Sequence, residues 1–436
     1  MIRLIEALNY RCLRYVRQEL GPFHVLVGPN ASGKSAFLDV LAFLGRLVKD
    51  GPEAAIRERS ENPRDLVWNH EGDRFELAIE LAIPEELRKQ LPKPYDTVRY
   101  EVAIGGWDVT EKVGLMAETI LLRNWGSANH QRRLAFPLDL DRPETILTSD
   151  DGPNCKFIYK SRENSLVFAG ETSNHPPICG KGTPPYDSSI LSLIGNSFSF
   201  RFQEAYRELF SAWPPSPVSI HPVSFWLSLV LANGIRTVAL ENAALRNESP
   251  RAQGFAFKSD GSNLPWRVAS LKKDRQRFAD WISHLRTALP NLVDVEVRDR
   301  KDTLNSWLVL IYEGGLQVPS WMASDGTLRL IALTLIAYLP EEEGEGVFLI
   351  EEPENGLHPR AVDTLIHSLS SVYDSQVLLT THSAVLLSVV SLEQILCFSQ
   401  TESGATDIVL GSEHPDLRNW QHETDLGTLF VAGVFE

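Results

Sequence analysis

Residues 28–35 read Gly-Pro-Asn-Ala-Ser-Gly-Lys-Ser, and the apolar run 23–27, Phe-His-Val-Leu-Val, directly precedes them. The octapeptide fits the pattern G-x-x-x-x-G-K-[ST] of phosphate-binding loops, which lie between a strand and a helix. The apolar run predicts a short buried strand, and the mostly apolar residues 36–44 predict the helix that follows. The stretch therefore predicts a nucleotide-binding α/β fold built around this loop.

The residue types of the loop suit the binding of nucleotide phosphates. Gly28 and Gly33 allow the backbone to curl so that its N–H groups face anionic oxygens. The N-terminus of the following helix adds the positive end of its dipole. Lys34 can reach the outer phosphates, and the Ser35 hydroxyl can bind Mg²⁺. The predicted phosphate-binding residues are Gly28, Pro29, Asn30, Ala31, Ser32, Gly33, Lys34 and Ser35.

A second group of candidate residues follows the apolar run 346–350, Gly-Val-Phe-Leu-Ile, which predicts a buried parallel strand. Glu351 and Glu352 come directly after it, and ligands bind outside the carboxyl ends of strands in open α/β sheets. One carboxylate can bind Mg²⁺ while the other orients or deprotonates an attacking water. The pair therefore predicts a hydrolytic metal site at this end of the strand.

Two further segments carry residues that suit a phosphate site. The apolar run 330–339 predicts a helix, Ser324 can cap the helix N-terminus, and Gly326 allows a phosphate to approach its N–H groups. The run 376–380 predicts another strand, and His382 just beyond it can touch a γ-phosphate at the same sheet edge. A capped buried helix and a structural histidine are the alternative interpretations of these two segments.

The order of these motifs resembles that of the ABC-type ATPases of the RecF, SMC and OLD clade, and looks most like the stand-alone AAA ATPases of bacteria. Residues 8–13, Leu-Asn-Tyr-Arg-Cys-Leu, resemble the Asn-Phe-Arg-Ser-Leu element that opens these chains. Residues 258–264, Lys-Ser-Asp-Gly-Ser-Asn-Leu, resemble another segment of the family. The similarity covers residues 1–82 and 256–436, whereas residues 83–255 show little family signal.

The resemblance implies a role for each matched residue. Lys34 and Ser35 would bind the phosphates and Mg²⁺ of ATP. Glu351 would be the second metal ligand, in the place where many relatives have aspartate. Glu352 would be the catalytic base, and His382 would be the switch histidine. The implied cofactors are ATP and Mg²⁺.

The resemblance also implies a dimer. Ser324 and Gly326 would belong to the signature loop, which contacts ATP bound to the other subunit, and residues 355–358 would lie at the dimer contact. Two subunits would sandwich two ATP molecules. Two features depart from the family pattern, because no clear glutamine loop is present and Ala31 stands where many relatives have glycine. The glutamine candidates are Gln90 and Gln131.

The predicted fold class is α/β: a P-loop NTPase with an ABC-ATPase-type mixed sheet core, an antiparallel β subdomain and an inserted α+β region. The ATPase domain would comprise an N-terminal part, 1–82, and a C-terminal part, 256–436, separated by an accessory region, 83–255. That region shows no sustained heptads, so we expect a globular insertion and not a coiled coil. The residues that follow His382 leave no room for a TOPRIM nuclease domain, so any nuclease would be a partner protein.

Composition limits the remaining possibilities. Of 436 residues, 43% are hydrophobic and 23% charged, and no apolar run is long enough to span a membrane. With four cysteines and no secretory segment, we expect a cytoplasmic protein. The net charge of −15 argues against broad nonspecific DNA binding but allows a local basic groove. The candidate basic patches are Arg57, Arg59 and Arg64; Arg132 and Arg133; and Lys272, Lys273, Arg275 and Arg277.

Three functional hypotheses follow. The first is an ATP-gated dimeric ATPase that acts in DNA repair or in defence against phages or plasmids, with a separate effector nuclease encoded nearby. The second is a nucleotide-gated scaffold that hydrolyses little ATP and mainly holds a partner. The third is a subunit that energises a transporter, which the missing glutamine loop and the large insertion disfavour.

Overall fold

The computed structural model describes residues 1–106, 114–126, 133, 135–148, 155–161, 165–168, 171, 178–181, 189, 191–192, 221–255, 257–339, 346–372, 375–417 and 425–435. The strands are β1 (Ile2–Tyr10), β2 (Leu13–Glu19), β3 (Phe23–Val27), β4 (Arg74–Ala82), β5 (Thr97–Gly105), β6 (Gly114–Arg123), β7 (Cys155–Ser161), β8 (Ser165–Phe168), β9 (Ile178–Lys181), β10 (Ile235–Val238), β11 (Leu292–Asp299), β12 (Ser306–Tyr312), β13 (Gln317–Pro319), β14 (Gly346–Glu351), β15 (Ser375–Thr380), β16 (Ile395–Gln400) and β17 (Thr406–Leu410).

The helices pack on and between the sheets that these strands form. They are α1 (Lys34–Asp50), α2 (Pro52–Arg57), α3 (Glu85–Arg88), α4 (Pro222–Leu229), α5 (Asn242–Arg246), α6 (Leu264–Leu271), α7 (Arg275–Ala288), α8 (Asp325–Thr334), α9 (Pro359–Ser370), α10 (Ala384–Leu387) and α11 (Leu426–Val431). Short 3₁₀ turns occur between them, and α8 continues into one of these turns at Leu335–Tyr338. The apolar run 330–339 is therefore helical as predicted, but its last turn is tighter than an α-helix.

The central sheet has six strands in the order β10-β14-β15-β3-β16-β17. The first five run parallel to one another, and β17 pairs with β16 in the antiparallel sense. Both faces of the sheet are covered, which accounts for the continuous apolar runs of β3 and β14. Leu26 and Leu349 belong to one core cluster, whereas Val25 and Phe348 belong to the other. The mixed core sheet confirms the predicted fold class.

Helix α1 lies between the central sheet and a second, antiparallel sheet. Its buried residues, Phe37 and Leu41 among them, share one core cluster with Leu26 of the central sheet and Leu77 of β4. The second sheet has eight strands in the order β2-β1-β4-β5-β6-β7-β8-β9. It confirms the predicted antiparallel subdomain beside the nucleotide-binding core.

The alternating pattern of residues 75–83 predicts a half-buried strand, and in this respect the prediction is wrong. The carboxylates of Glu76 and Glu80 in β4 are buried, because a following segment and a neighbouring strand cover the outer face of the sheet. Thr145 Oγ1 and the Ile146 N–H donate to Glu76 Oε2 at 2.7 and 2.8 Å. The Arg99 guanidinium donates to Glu80 Oε1 at 2.9 Å. Polar and apolar residues alternate in β4 although both of its faces are buried, because one face packs in the apolar core and the other is hydrogen-bonded to polar groups.

The C-terminal half of the chain builds the other side of the central sheet. Helix α7 has the predicted amphipathic pattern, because Trp281, Ile282 and Leu285 are buried. The strands β11, β12 and β13 form a small antiparallel sheet that packs on α6 and α7. The helix that the sequence predicts over 190–213 lies outside the described residues, apart from residues 191 and 192.

The division of the chain at residues 82 and 255 stays a prediction. Strands β5 to β9 lie within the predicted insertion 83–255 and extend the antiparallel sheet that β1, β2 and β4 begin. Strand β10 lies within the same range but pairs with β14 of the central sheet. We therefore propose that the C-terminal part of the ATPase domain begins before β10 and not at residue 256.

Candidate nucleotide-binding site

Three neighbouring parallel strands bring the predicted site residues to one edge of the central sheet. Glu351 at the end of β14 pairs with Thr380 at the end of β15, and Thr380 pairs with Leu26 of β3. The phosphate loop, the two glutamates and the segment with His382 follow these strand ends. Residues far apart in the chain therefore leave the sheet side by side, at the edge where α/β sheets bind ligands.

The glycines of the phosphate loop are required by packing as well as by backbone conformation. Gly28 has φ 151° and Gly33 has φ 101°. A Cβ atom on Gly28 would lie 2.1 Å from the carbonyl oxygen of Phe398, and one on Gly33 would lie 2.1 Å from Thr406 Oγ1. Residues of β16 and β17 therefore pack directly against the loop. Ala31 also has positive φ, at 64°, which costs a non-glycine residue about 1–2 kcal/mol.

Lys34 lies under the loop and closes it. Its ammonium donates to the carbonyl oxygens of Gly28 and Pro29 at 2.8 and 2.7 Å. Burial lowers the pKa of Lys34, and the nearby charges of Glu352 and Glu351 oppose that fall. Ser32 is buried in the same turn, whereas Asn30 and Ala31 are exposed at its tip. The ammonium therefore binds the loop carbonyls within reach of the charges of Glu351, the predicted metal ligand, and Glu352, the predicted base.

Ser35 and Glu351 face one cavity of about 400 Å³. A hydroxyl and a carboxylate are hard oxygen ligands of the kind that Mg²⁺ accepts, and Mg²⁺ sites usually take only one or two protein ligands plus phosphates and waters. Among the described residues no group of three His, Cys, Asp or Glu side chains could hold a metal ion unaided. The donor set therefore fits Mg²⁺ that arrives with a nucleotide.

Glu352 occupies a strained position directly after the strand. Its φ is 45°, an uncommon value for a residue with a side chain. Its N–H donates to the Thr380 carbonyl at 3.0 Å, and Asn355 Nδ2 donates to its carboxylate. His382 Nε2 lies 4.0 Å from Glu352 Oε1. The backbone turn thus directs this carboxylate to the histidine that follows the neighbouring strand.

His382 and Glu352 are both partly exposed, at 36% and 42% of their side-chain surface. Burial and the Lys34 ammonium lower the pKa of His382, whereas the Glu352 charge raises it. At neutral pH the imidazole is therefore mostly neutral and can accept or donate a hydrogen bond. Two contacts hold the segment around His382 in place. The Ser383 side chain caps α10, and the Ser383 N–H donates to Thr381 Oγ1 at 2.9 Å.

Glu354 is a functional candidate that the sequence interpretation missed. Thr381 donates its hydroxyl to Glu354 Oε1, so that the loop after β14 is tied to the loop after β15. Burial raises the pKa of Glu354, and the Thr381 hydrogen bond opposes the rise. The signal in the sequence was a third acidic residue two positions after the glutamate pair. Only the tertiary structure shows that it meets the threonine beside His382.

A cluster of charged groups on the far wall of the cavity was also missed. Asp39 of α1 accepts hydrogen bonds from Tyr10 at 2.6 Å, from Arg11 at 3.0 Å and from Arg59 at 2.8 Å. Burial and the Asp39 charge raise the pKa of Tyr10. The opening element at residues 8–13 is therefore anchored to α1 next to Ser35. Arg59, which the sequence placed in a surface basic patch, is only 10% exposed.

The Ser324 loop begins α8 as predicted, because Ser324 Oγ accepts the Thr327 N–H at 3.1 Å. Ser324 itself is exposed. Gly326 has a packing role that the sequence did not predict, since a Cβ atom there would lie 2.3 Å from the Gly356 carbonyl oxygen. The start of α8 therefore rests on the loop that follows Glu352. Contact of Ser324 and Gly326 with a phosphate stays a prediction.

Residues 23–90 and 220–388 match the model of a family described as "AAA domain, putative AbiEii toxin, Type IV TA system". The match spans more than half of the 436 residues. The chain belongs to this AAA-domain family. Both the phosphate loop and the residues from Ser324 to His382 lie inside the matched ranges. No curated protein matches the chain.

Heads of SMC proteins are among the solved structures with a similar fold. The crystal structure of the SmcHead bound to the C-winged helix domain of ScpA is 13% identical, with 94% of this chain and 96% of that chain covered and a TM-score of 0.52. The Pyrococcus furiosus Smc head with an extended coiled coil and the Thermotoga maritima SMC head, both 13% identical, have TM-scores of 0.45 and 0.41. The first of these similarities shows that the chain shares the fold of an SMC head.

The predicted basic patch of residues 272–277 is largely engaged within the molecule. Lys272 Nζ lies 4.8 Å above the Phe278 ring, and Lys273 Nζ lies 5.1 Å above the Phe255 ring. Arg277 donates to a main-chain carbonyl at 3.0 Å. Of the two glutamine-loop candidates, Gln90 lies just after α3 and donates to the Glu86 carbonyl of that helix at 3.3 Å, and Gln131 lies outside the described residues. Among the helices that the structure describes, none has the length and apolar character of a membrane span.

Proposed function

We propose that the protein is an ATPase that works as an ATP-gated dimeric switch. The observation that carries the proposal is the convergence of the phosphate loop, Glu351, Glu352 and His382 at three adjacent strand ends. The fold and the AAA-domain family support nucleotide binding, and the chemistry of the converging residues supports hydrolysis.

The proposed hydrolysis assigns one task to each group. The loop N–H groups and the Lys34 ammonium bind the outer phosphates, for which Lys34 must leave the Gly28 and Pro29 carbonyls. Ser35 and Glu351 hold Mg²⁺, which when bound neutralises charge on the phosphoryl group. Glu352 accepts a proton from the attacking water. His382 supports Glu352 and hydrogen-bonds to the γ-phosphate.

The switch depends on a second subunit. The exposed N-terminus of α8, with Ser324 and Gly326, is a positive dipole end at the surface. A second copy of the chain would place its γ-phosphate against this helix end, so that two ATP molecules lie between two subunits. A closed two-fold dimer then has two equivalent sites. The resemblance to RecF, SMC and OLD proteins and the SMC-like fold support this arrangement.

We further propose that the switch acts in DNA repair or in defence against phages or plasmids, in the cytoplasm and with a separate effector nuclease. The family description, which names a toxin of a toxin–antitoxin system, and the SMC-like fold support a role of this kind. Cys12 and Cys397 are free thiols, as expected for a reducing compartment. Binding of DNA by this chain is part of the proposal and would be weakened by salt.

The deciding experiment is the Glu352→Gln variant. It should bind ATP as the unchanged protein does, because the phosphate loop is intact. Its turnover should fall by on the order of 10²–10⁴, the effect of losing a general base. Calorimetry measures the affinity, and phosphate release measures the turnover. Glu53→Gln, at an exposed position on α2, is the control and should keep full activity.

Two outcomes would contradict the proposal. If Glu352→Gln hydrolyses ATP at the rate of the Glu53→Gln control, Glu352 is not the base. If the unchanged protein binds ATP but turns over negligibly with and without DNA, the protein is instead a nucleotide-gated scaffold. Lys34→Ala should in either case weaken ATP binding, because it removes the ammonium that cradles the outer phosphates.

A further inference from the structure

The loop that leads into α8 is held by a single arginine from a different part of the chain. Arg246, the last residue of α5, donates from Nε to Asp325 Oδ1 at 2.7 Å and from Nη1 to the Trp321 carbonyl at 3.1 Å. The Arg246 carbonyl also accepts the Ser320 hydroxyl at 3.0 Å. One residue therefore fixes both ends of the segment 320–325, which carries Ser324 near its end.

The guanidinium is suited to this task because its donors form a rigid planar fork. Asp325 lies between Ser324 and Gly326 and is the first residue of α8. A side chain that holds both the Asp325 carboxylate and the Trp321 carbonyl fixes the direction in which Ser324 projects. A lysine ammonium lacks this planar fork, so its donors would match the Asp325 carboxylate and the Trp321 carbonyl less well.

The segment that carries Arg246 begins at the nucleotide edge of the sheet. β10 pairs with β14, with Val238 opposite Ile350, the residue before Glu351. Only a short link separates β10 from α5, and along it the Leu240 carbonyl accepts a hydrogen bond from Arg329 of α8 at 3.4 Å. The chain thus runs directly from the strand beside Glu351 to the loop with Ser324.

We propose that Arg246 is the positioning residue of the Ser324 loop. It holds the Ser324 hydroxyl and the first N–H groups of α8 in the direction needed to meet the phosphate of an ATP molecule bound by the partner subunit. The inference rests on the proposed function, since it assumes that the Ser324 loop acts on the other subunit. Arg246 touches no nucleotide itself and acts through Asp325 and the backbone at Trp321.

The ion pair is too exposed to be explained as a stabiliser of the fold. The Arg246 and Asp325 side chains are 34% and 42% exposed, and pairs of this kind contribute little to stability. Removing Arg246 should therefore leave a folded subunit with an intact phosphate loop. If a variant binds ATP normally but dimerises poorly, the loss would then be due to a changed position of the Ser324 loop.

The test uses Arg246→Gln and Arg246→Lys, with Arg298→Gln as the matched control. Arg298 in β11 makes a comparably exposed pair with Glu296 at 2.8 Å, on a strand of the small sheet. All variants should bind ATP like the unchanged protein in calorimetry. ATP-driven dimerisation, measured by sedimentation, should weaken by about tenfold or more in Arg246→Gln, the order expected for losing one charge-assisted hydrogen bond. Arg246→Lys should show a smaller loss, and the control none.

Mixed dimers separate positioning from a merely structural role. Arg246→Gln subunits keep their own phosphate loop, and Lys34→Ala subunits keep an intact Ser324 loop. A heterodimer of the two therefore has one complete site, and mixing them should restore part of the turnover. Mixing Arg246→Gln subunits with subunits that carry both Arg246→Gln and Lys34→Ala should restore no turnover, because neither site of that heterodimer is complete. Recovery in neither mixture, despite proven heterodimers, would overturn the proposal.

A double-mutant cycle tests the route through Asp325. If Arg246 acts by holding Asp325, the effects of Arg246→Gln and Asp325→Asn on dimerisation should not add. Additive effects would contradict the proposal, as would equal dimerisation of Arg246→Gln and the Arg298→Gln control. Ser324→Arg, measured in parallel, isolates the underlying assumption. If Ser324→Arg dimerises normally with ATP, the Ser324 loop does not act on the other subunit, and the proposed function fails. If Ser324→Arg does not dimerise but Arg246→Gln dimerises normally, only the positioning role of Arg246 is refuted.

Discussion

The two loops proposed to bind phosphate are held in opposite ways. The phosphate loop rests against the backbone of the central sheet, where Gly28 meets the Phe398 carbonyl and Gly33 meets Thr406. The Ser324 loop lies at the surface and is held by exposed polar contacts from Arg246. The first loop is part of the core, so its geometry and the fold depend on each other. We therefore expect that the contacts of Arg246 with the second loop can be removed without unfolding the chain.

The largest expected effect is the loss of stability in Gly33→Ala. A Cβ atom there would lie 2.1 Å from Thr406 Oγ1, and the φ of 101° disfavours any side chain. Overpacking and the left-handed backbone together should lower the free energy of unfolding by about 4 kcal/mol. Urea unfolding followed by circular dichroism measures it.

Gly72→Ala is the matched control, because Gly72 has a similar φ of 94° but no atom within 4 Å of an added Cβ. It should lose only the backbone part, about 1–2 kcal/mol. If the two variants lose equal stability, contact with β17 does not hold the phosphate loop. The phosphate loop would then not differ from the Ser324 loop in being held by the core.

Lowering the pH should lower the free energy of unfolding through His24, a residue of the sheet that carries the phosphate loop. Burial lowers the pKa of His24 in β3 from 6.5 to about 4. Between these values the unfolded chain binds the proton and the folded chain does not. This contribution to stability is therefore complete above pH 6.5 and is lost as the pH falls towards 4, by roughly 3 kcal/mol at most.

The comparison of unfolding free energies at pH 7 and pH 5 tests this, with His24→Gln as the variant. Neutral His24 accepts the Gly21 N–H at 2.7 Å, and a glutamine carbonyl can replace that acceptor. The pH dependence should shrink in the variant without disappearing, because burial also lowers the pKa of His221 to about 4. An unchanged slope would show that His24 is not protonated on unfolding.

The contrast between the loops also explains what the sequence could predict. The phosphate loop is a local pattern, so its strand, turn and helix follow from the residues 23–44. The common edge of β3, β14 and β15 follows from the general rule for parallel sheets. The contacts of Arg246 with Asp325 and of Glu354 with Thr381 join separate chain segments, and no local pattern marks them. The packing of Gly326 against the Gly356 carbonyl joins separate segments in the same way, whereas its contact with a phosphate stays a prediction.

A smaller effect is expected for Gly326→Ala, which tests the contact between α8 and the loop after Glu352. The added Cβ atom would lie 2.3 Å from the Gly356 carbonyl, at a cost of about 1–3 kcal/mol. The better helix propensity of alanine offsets about 1 kcal/mol of this. Turnover should fall while ATP affinity stays constant, because the displaced loop directly follows the base, Glu352.

Kinetics over a range of ATP concentrations separates these effects, with urea unfolding as the second measurement. A variant as active as the unchanged protein would show that the loop after Glu352 tolerates displacement. The contact between Gly326 and Gly356 would then have no role in catalysis.

The smallest change in stability should come from Ser324→Ala. Removing this helix cap should cost about 1 kcal/mol, because the Thr327 N–H loses its acceptor. Asp274→Ala removes the cap of α7, where the Asp274 side chain accepts the Gln276 and Arg277 N–H groups, and should cost a similar amount. The two variants should therefore match in urea unfolding. If the Ser324 loop meets the ATP of a partner, only Ser324→Ala should weaken ATP-driven dimerisation. Equal dimerisation of the two would mean that the exposed serine serves its own helix alone, and the difference between the two loops would then be one of burial and not of function.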